Sequence, residues 1–285
     1  MAVIVKTCGA ISPFFDLLIK SGADIHNINI IRKHIDRAKG GGLVSFIYPR
    51  KCISLIISDV PGDDLKTIAS GPTVFDATTN SDAQTILKKY QLPNKIDGSS
   101  VRLIETPKDK KLFKDVQNIL IATNKTALEA MAKKAIGLGY KTKTLDASLN
   151  QDAESVGQMI LEKLKVKSEK LKAEKMALIA GGETTIKVSG NGRGGRNTHL
   201  CLSALKYLPK NTILLSIDSD GQDNSDAAGA IISEETFKKA ERLGLNPDEY
   251  LKNFDSYNFF SQTGDLIKTG SLPTNVGDLM VVLRG

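Results

Sequence analysis

Tryptophan is absent from this 285-residue chain, and phenylalanine, tyrosine and tryptophan together make up only 5% of it. A surface for stacking nucleic-acid bases needs aromatic faces, so none is expected. Cysteine is scarce too: Cys8, Cys52 and Cys201 lie far apart with no CxxC pair. That argues against a disulfide scaffold or a cysteine metal cage and for a reducing cytosol. No run of about 18 apolar residues exists to cross a membrane. The opening MAVIVKTCGAISPFFDLLIKSG, broken by Gly9 and Pro13, does not have the form of a secretory leader. GxxxxGK[ST], the phosphate loop of many nucleotide-hydrolysing proteins, is missing as well.

What is present is ordinary globular material, 41% hydrophobic and 25% charged, with a net charge of +7 from 39 basic and 32 acidic residues. Such an excess could serve a nucleic acid, and a small anionic substrate such as a nucleotide suits it equally well. Short apolar runs at 52–58, 118–123, 175–181, 211–218 and 278–284 have the form of buried strands. Between them, residues 83, 86, 87 and 90 share one helical face, as do Ala127, Leu128, Met131, Ala135 and Ile136. Alternation of this kind predicts an α/β fold. The lysine- and glutamate-rich run 162–175 marks a seam between a domain over residues 1–165 and another over 176–285.

Four loops follow strand-like runs, where ligands gather in open α/β sheets. In SDVPGDDLKTIASGPTV, the acids Asp59, Asp63 and Asp64 suit a metal ion or a substrate hydroxyl, or else form an Asp-rich turn. Ser70, Gly71 and Thr73 in the same stretch offer hydroxyl and N–H groups to an anion. In IATNKTALEA, Thr123 and Asn124 either cap a helix or bind phosphate at its start. In GGETTIKVSGNGRGGRNTHL, two strands flank a turn tipped by Glu183, and Arg193, Gly194, Gly195, Arg196 and Asn197 open an amphipathic helix. Glycine this dense requires left-handed turns or close backbone approach, and two guanidinium forks beside it suit an oxyanion. LSIDSDGQDNSDAAGAII holds Asp218, Asp220, Asp223 and Asp226, but Gly229 at the twelfth position rules out an EF-hand; a helix is expected after Asp226. His34, in a helical stretch, is expected to be structural.

Together with the closing TGSLPTNVGDLMVVL, these motifs resemble the class II glycerate kinases, and the likeness runs from about Phe15 to the end. The resemblance implies a partial Rossmann-like N-terminal domain and a smaller C-terminal α/β domain with a mixed sheet. It implies transfer of the γ-phosphoryl group of ATP, with Mg²⁺, to D-glycerate, giving 2-phosphoglycerate. Arg196 would be the catalytic arginine and Asp59 a catalytic acid. Asp63, Asp64, Asp220 and Asp223 would be metal candidates, and Arg32 and Lys33 would face the substrate's carboxylate or phosphate. Members carry a GKA-type lysine and a Gly-Gly-Ser loop before the region matched here, whereas this chain has Lys6 and Gly9-Ala10. The alternative is therefore a remnant that binds nucleotide or phosphometabolite without turnover. An incomplete sheet leaves an open strand edge, so self-association is expected. No nucleic-acid or membrane partner is.

Overall fold

The computed structural model describes residues 12–92, 95–96, 99–171 and 175–285. Lys6, Cys8 and Gly9-Ala10 lie outside them, as do residues 172–174 of the lysine-rich run. The chain packs as two compact units. One takes the described residues up to Ile56 together with Asp63–Ile119; the other takes Ile57–Gly62 and Leu120–Gly285.

The first unit contains α1 (Ser12–Lys20), α2 (Ile25–Ile35), α3 (Gly42–Ile47), most of β1 (Cys52–Ile57), α4 (Asn80–Lys89), the short pair β2 (Lys95–Ile96) and β3 (Ser99–Ser100), and the start of β4 (Val116–Ala122). Asp24 caps α2 by accepting from Asn27 N, and Thr79 and Asp82 close a capping box on α4. Leu18, Ile28, Ile31, Ala83, Ile86 and Leu87 from these helices form the core. Beneath it, His34 is fully buried, its ring nitrogens 3.0 Å from Asn80 Oδ1 and Ile104 O and 3.2 Å from Thr78 Oγ1. Among the described residues β1 and β4 pair only with each other. Ile53 and Leu55 of β1 are 65% and 64% exposed, and Ile121 of β4 is 51% exposed.

The second unit contains α5 (Asn124–Gly137), β5 (Lys141–Thr144), α6 (Ala153–Leu171), β6 (Met176–Gly182), α7 (Arg196–Leu205), β7 (Thr212–Asp218), β8 (Gly229–Ile232), α8 (Glu234–Leu243), α9 (Pro247–Lys252), α10 (Ser256–Thr263), β9 (Leu266–Ile267) and β10 (Asp278–Arg284). Its mixed sheet runs β5-β6-β10-β7-β8-β9, with β5 and β6 parallel and the remaining neighbours antiparallel. Alternate residues serve alternate faces, as a strand dictates. Leu178, Ala180, Met280 and Val282 join α6 and α7 in one core, while Ala177 and Ile179 pack with Leu128 and Ala135 of α5 in another.

The packing departs from the sequence expectations at four places. Residues 162–171 of the expected seam lie in α6, whose Ile160, Leu161 and Leu164 belong to the same core as β6. Residues after Asp226 form strand β8 rather than a helix, and Gly229 lies against the Ser216 carbonyl with no room for a side chain. No second strand follows directly on Glu183; the two edges of β6 pair instead with β5 and β10. Finally, α7 is buried along its whole length from Asn197 to Leu205 rather than on one face.

Candidate active site

Three strand ends meet at one level of the second unit's sheet. Asp278, opening β10, is paired in register with Gly182 at the end of β6 on one side and Asp218 at the end of β7 on the other. The first turn of α7 crosses above them, and Arg196 reaches all three. Its Nε donates to both Asp278 oxygens at 3.0 and 3.1 Å, one terminal nitrogen to Asp218 Oδ2 at 3.0 Å, and the other to Glu183 Oε1 at 3.3 Å. Asp278 is fully buried and also accepts from Asn197 Nδ2, Thr184 N and Thr184 Oγ1 at 2.7, 2.9 and 3.0 Å. It is the hub that fixes the arginine.

One guanidinium thus faces three carboxylates, which sets the electrostatics. Burial, reinforced by the neighbouring Asp278 charge, pushes the Asp218 carboxyl up to about 7, against hydrogen bonding from Asp220 N and the pull of Arg196. Burial raises Glu183 as well; Arg196 opposes that rise, and Asp59 and Asp278 add to it. Asp59 is exposed and accepts from Asn275 Nδ2 at 3.3 Å. Arg196 is raised above its ordinary value, the attraction of Asp278, Asp218 and Glu183 outweighing its own burial.

The expected sites divide sharply. Arg196, Glu183 and Asp59 come together. Arg193 stays at the surface, its guanidinium 3.7 Å from the Tyr257 ring centroid and 2.6 Å from Asp226 Oδ1. Asp223 is no metal ligand: it is buried and accepts from the N–H groups of Asn197 and Thr198 at 3.0 and 2.8 Å, capping α7. Asn197, fully buried, is spent on Asp278, Asp223 and Ser216. Asn124 is buried and donates to the Val276 and Asp278 carbonyls, while Thr123 caps α5 by accepting from Thr126 N. Asp220 holds a turn through Gln222 N.

In the first unit, Lys33 is not a ligand cation but a buried partner of Asp76 at 3.2 Å. The hydroxyls of Ser70 and Thr73 are turned inward to Asn29 and Asn118, and the Gly71 carbonyl accepts from Gly41 N. Asp64 holds a turn through Lys66 N and Thr67 Oγ1, and Asp63 takes a left-handed φ of 54°. Arg32 is half-buried on α2. Among the described residues no three acids, histidines or cysteines are placed to hold a metal ion by themselves.

The glycine loop is closely approached by other parts of the chain. A side chain at Gly190 or Gly192 would strike Asn253 or Asp255, one at Gly194 would meet Ser256, and one at Gly195 would meet Asp223. The loop is bare where the 253–256 segment and the Asp223 cap approach it. Gly195→Ala is therefore expected to destabilise the chain by at least about 1–3 kcal/mol. Gly137→Ala, in open space near the end of α5, should be neutral or stabilising. Thermal denaturation of the two variants checks this; equal midpoints would contradict it.

Residues 8–105 match a domain family described as of unknown function, DUF4147, and residues 176–278 match the MOFRL family. A D-glycerate 2-kinase of Thermotoga maritima is 39% identical over 93% of this chain and 64% of its own length. A glycerate kinase of Macaca fascicularis is 33% identical over 92% of this chain and 79% of its own. A relative in Agrobacterium vitis, 38% identical over 94% of this chain and 63% of its own length, is named as a hydroxypyruvate reductase. The crystal structure of a Thermotoga maritima glycerate kinase superposes with a TM-score of 0.85 at 38% identity, over 96% of this chain and 67% of that one. Fold and site define an α/β protein of the MOFRL type, its acids gathered at strand ends around one arginine. The chain belongs to the glycerate kinase family. It spans just under two thirds of the length of the Thermotoga D-glycerate 2-kinase.

Proposed function

We propose that this chain phosphorylates D-glycerate, taking the phosphoryl group from ATP and forming 2-phosphoglycerate. The observation that carries the reading is the Asp218–Arg196–Asp278 cluster at adjoining strand ends, in a chain of this family. Phosphoryl transfer depends on positioning and on placed charge. Asp218, poised near neutrality, accepts the proton of the attacking hydroxyl at its carboxylate. Arg196 keeps N–H groups beyond those given to its three acids, and they stabilise charge on the phosphoryl oxygens. Asp278 holds the guanidinium in place.

Mg²⁺ in kinases takes one or two carboxylates and completes its shell with phosphate oxygens and water. Asp59 and Glu183, exposed or half-exposed and close enough to feel each other's charge, fit that need without a full protein cage. When bound, the ion would neutralise phosphate charge. Incubation of the purified chain with ATP, Mg²⁺ and D-glycerate, read by mass spectrometry, is expected to yield phosphoglycerate. Product no greater than the enzyme-free control would overturn the reading, as would reduction of hydroxypyruvate by NADH as the sole turnover.

No described helix is long and apolar enough to cross a membrane. The bare apolar residues of β1 and β4 support self-association, which Leu55→Lys is expected to weaken. Light scattering across a concentration series checks this, and an unmodified chain that stays monomeric throughout would contradict it.

A further inference from the structure

The first unit holds a strained turn that the proposed chemistry leaves unused. Ala69, Ser70 and Gly71 take left-handed backbone in succession, with φ of 50°, 60° and 62°. For alanine and serine that conformation costs about 1–2 kcal/mol each, and such strain persists only where the surroundings enforce it. Here the enforcing segment is Lys39-Gly40-Gly41. Gly40 N and Gly41 N donate to the carbonyls of Ser70 and Gly71 at 2.9 and 2.8 Å. Lys39 Nζ donates to the Ala69 carbonyl at 3.2 Å.

The ammonium is held there largely out of water, its side chain 17% exposed. Three N–H groups need partners. Among the described residues, one goes to the Ala69 carbonyl, and the sole carboxylate within reach, that of Asp36, is 4.0 Å away with its other oxygen engaged by Ala38 N. Burial lowers the Lys39 pKa; Asp36 opposes this, and the positive charge of Arg32 on α2 adds to it. A desolvated cation with donors to spare, beside a second cation, is an arrangement that an oxyanion relieves.

We propose that Lys39, with Arg32 beside it and the 69–71 turn as its floor, forms an anion subsite for a small oxyanion, a phosphate or the carboxylate of a hydroxy acid. It is independent of the assignment at Arg196. The chain labelled with ¹³C at lysine Cε, and Lys39→Arg to assign the resonance, allow a direct test by titration with inorganic phosphate and, separately, D-glycerate. The Lys39 resonance is expected to move saturably with at least one probe, and its titration midpoint to rise in that probe's presence. Response to phosphate alone assigns the site to a phosphoryl group; response to glycerate alone assigns it to the carboxylate. Lys39→Met should weaken binding of the responding anion at least tenfold. A Lys39 resonance unmoved by either anion overturns the proposal, and this readout is taken on the unaltered chain.

Discussion

Arg196→Ala is expected to cost the protein about 3–5 kcal/mol of stability as well as its turnover. Removing one partner of a buried ion pair leaves the other charge uncompensated, and that penalty exceeds the worth of the pair itself. Asp278 is fully buried and Asp218 nearly so, and Arg196 is the cation bound to both. A fall in turnover of about a thousandfold or more is expected from losing an arginine that stabilises a transferring phosphoryl group. Arg196→Lys separates the two effects, because it keeps the charge but loses the fork that spans three carboxylates. It should recover much of the stability and little of the rate. Urea denaturation beside a phosphoglycerate assay measures both; an alanine variant with the stability and rate of the unaltered chain would contradict the assignment.

Asp218→Asn is expected to act in opposite directions on stability and activity. The folded-state pKa of Asp218 lies above its unfolded value, so the native state holds the proton more tightly. The stability linked to this group is full below the unfolded value and is lost as pH rises through about 7. The melting temperature should therefore fall between pH 5 and pH 8. The asparagine variant should lack the part of that fall due to Asp218, and be the more stable of the two at pH 8. Glu183, also raised, contributes with the same sign. Activity runs the other way, since the proton acceptor is the ionised form. Turnover should rise with pH through the same interval, and the variant should lose about 10²–10⁴ of it together with that rise. A variant that keeps the wild-type pH–rate profile would assign proton transfer to another group.

Much of the fold was legible because buried strands and capped helices have local signatures. All five apolar runs became strands, and the faces read over residues 83–90 and 127–136 became α4 and α5. β5, with the sequence Lys-Thr-Lys-Thr, gave no such signal; its pairing with β6 makes it a strand. The glycine loop announced close approach but not what approaches it. A glycine that admits the protein's own 253–256 segment and one that admits a phosphate look alike in sequence. Lys33, Asn197 and Asp223 were assigned to ligands because polar residues beside turns suit them, yet each is held by a buried partner distant in the chain.

Asp278 escaped notice altogether. Nothing local distinguishes an aspartate that opens a strand, and its partner Arg196 lies 82 residues away. Only the register of β10 between β6 and β7 brings it under α7. An acid directly before a fully apolar run was the one available hint.

At the heart of the site, three carboxylates share one guanidinium, and burial, reinforced by the neighbouring Asp278 charge, keeps a proton on Asp218 close to neutral pH. Carboxyl ¹³C NMR of the folded chain, with Asp218 assigned through Asp218→Asn, tests that directly across pH 4 to 9. A midpoint near 7 is expected for Asp218. A midpoint in the ordinary aspartate range, about 4, would contradict it.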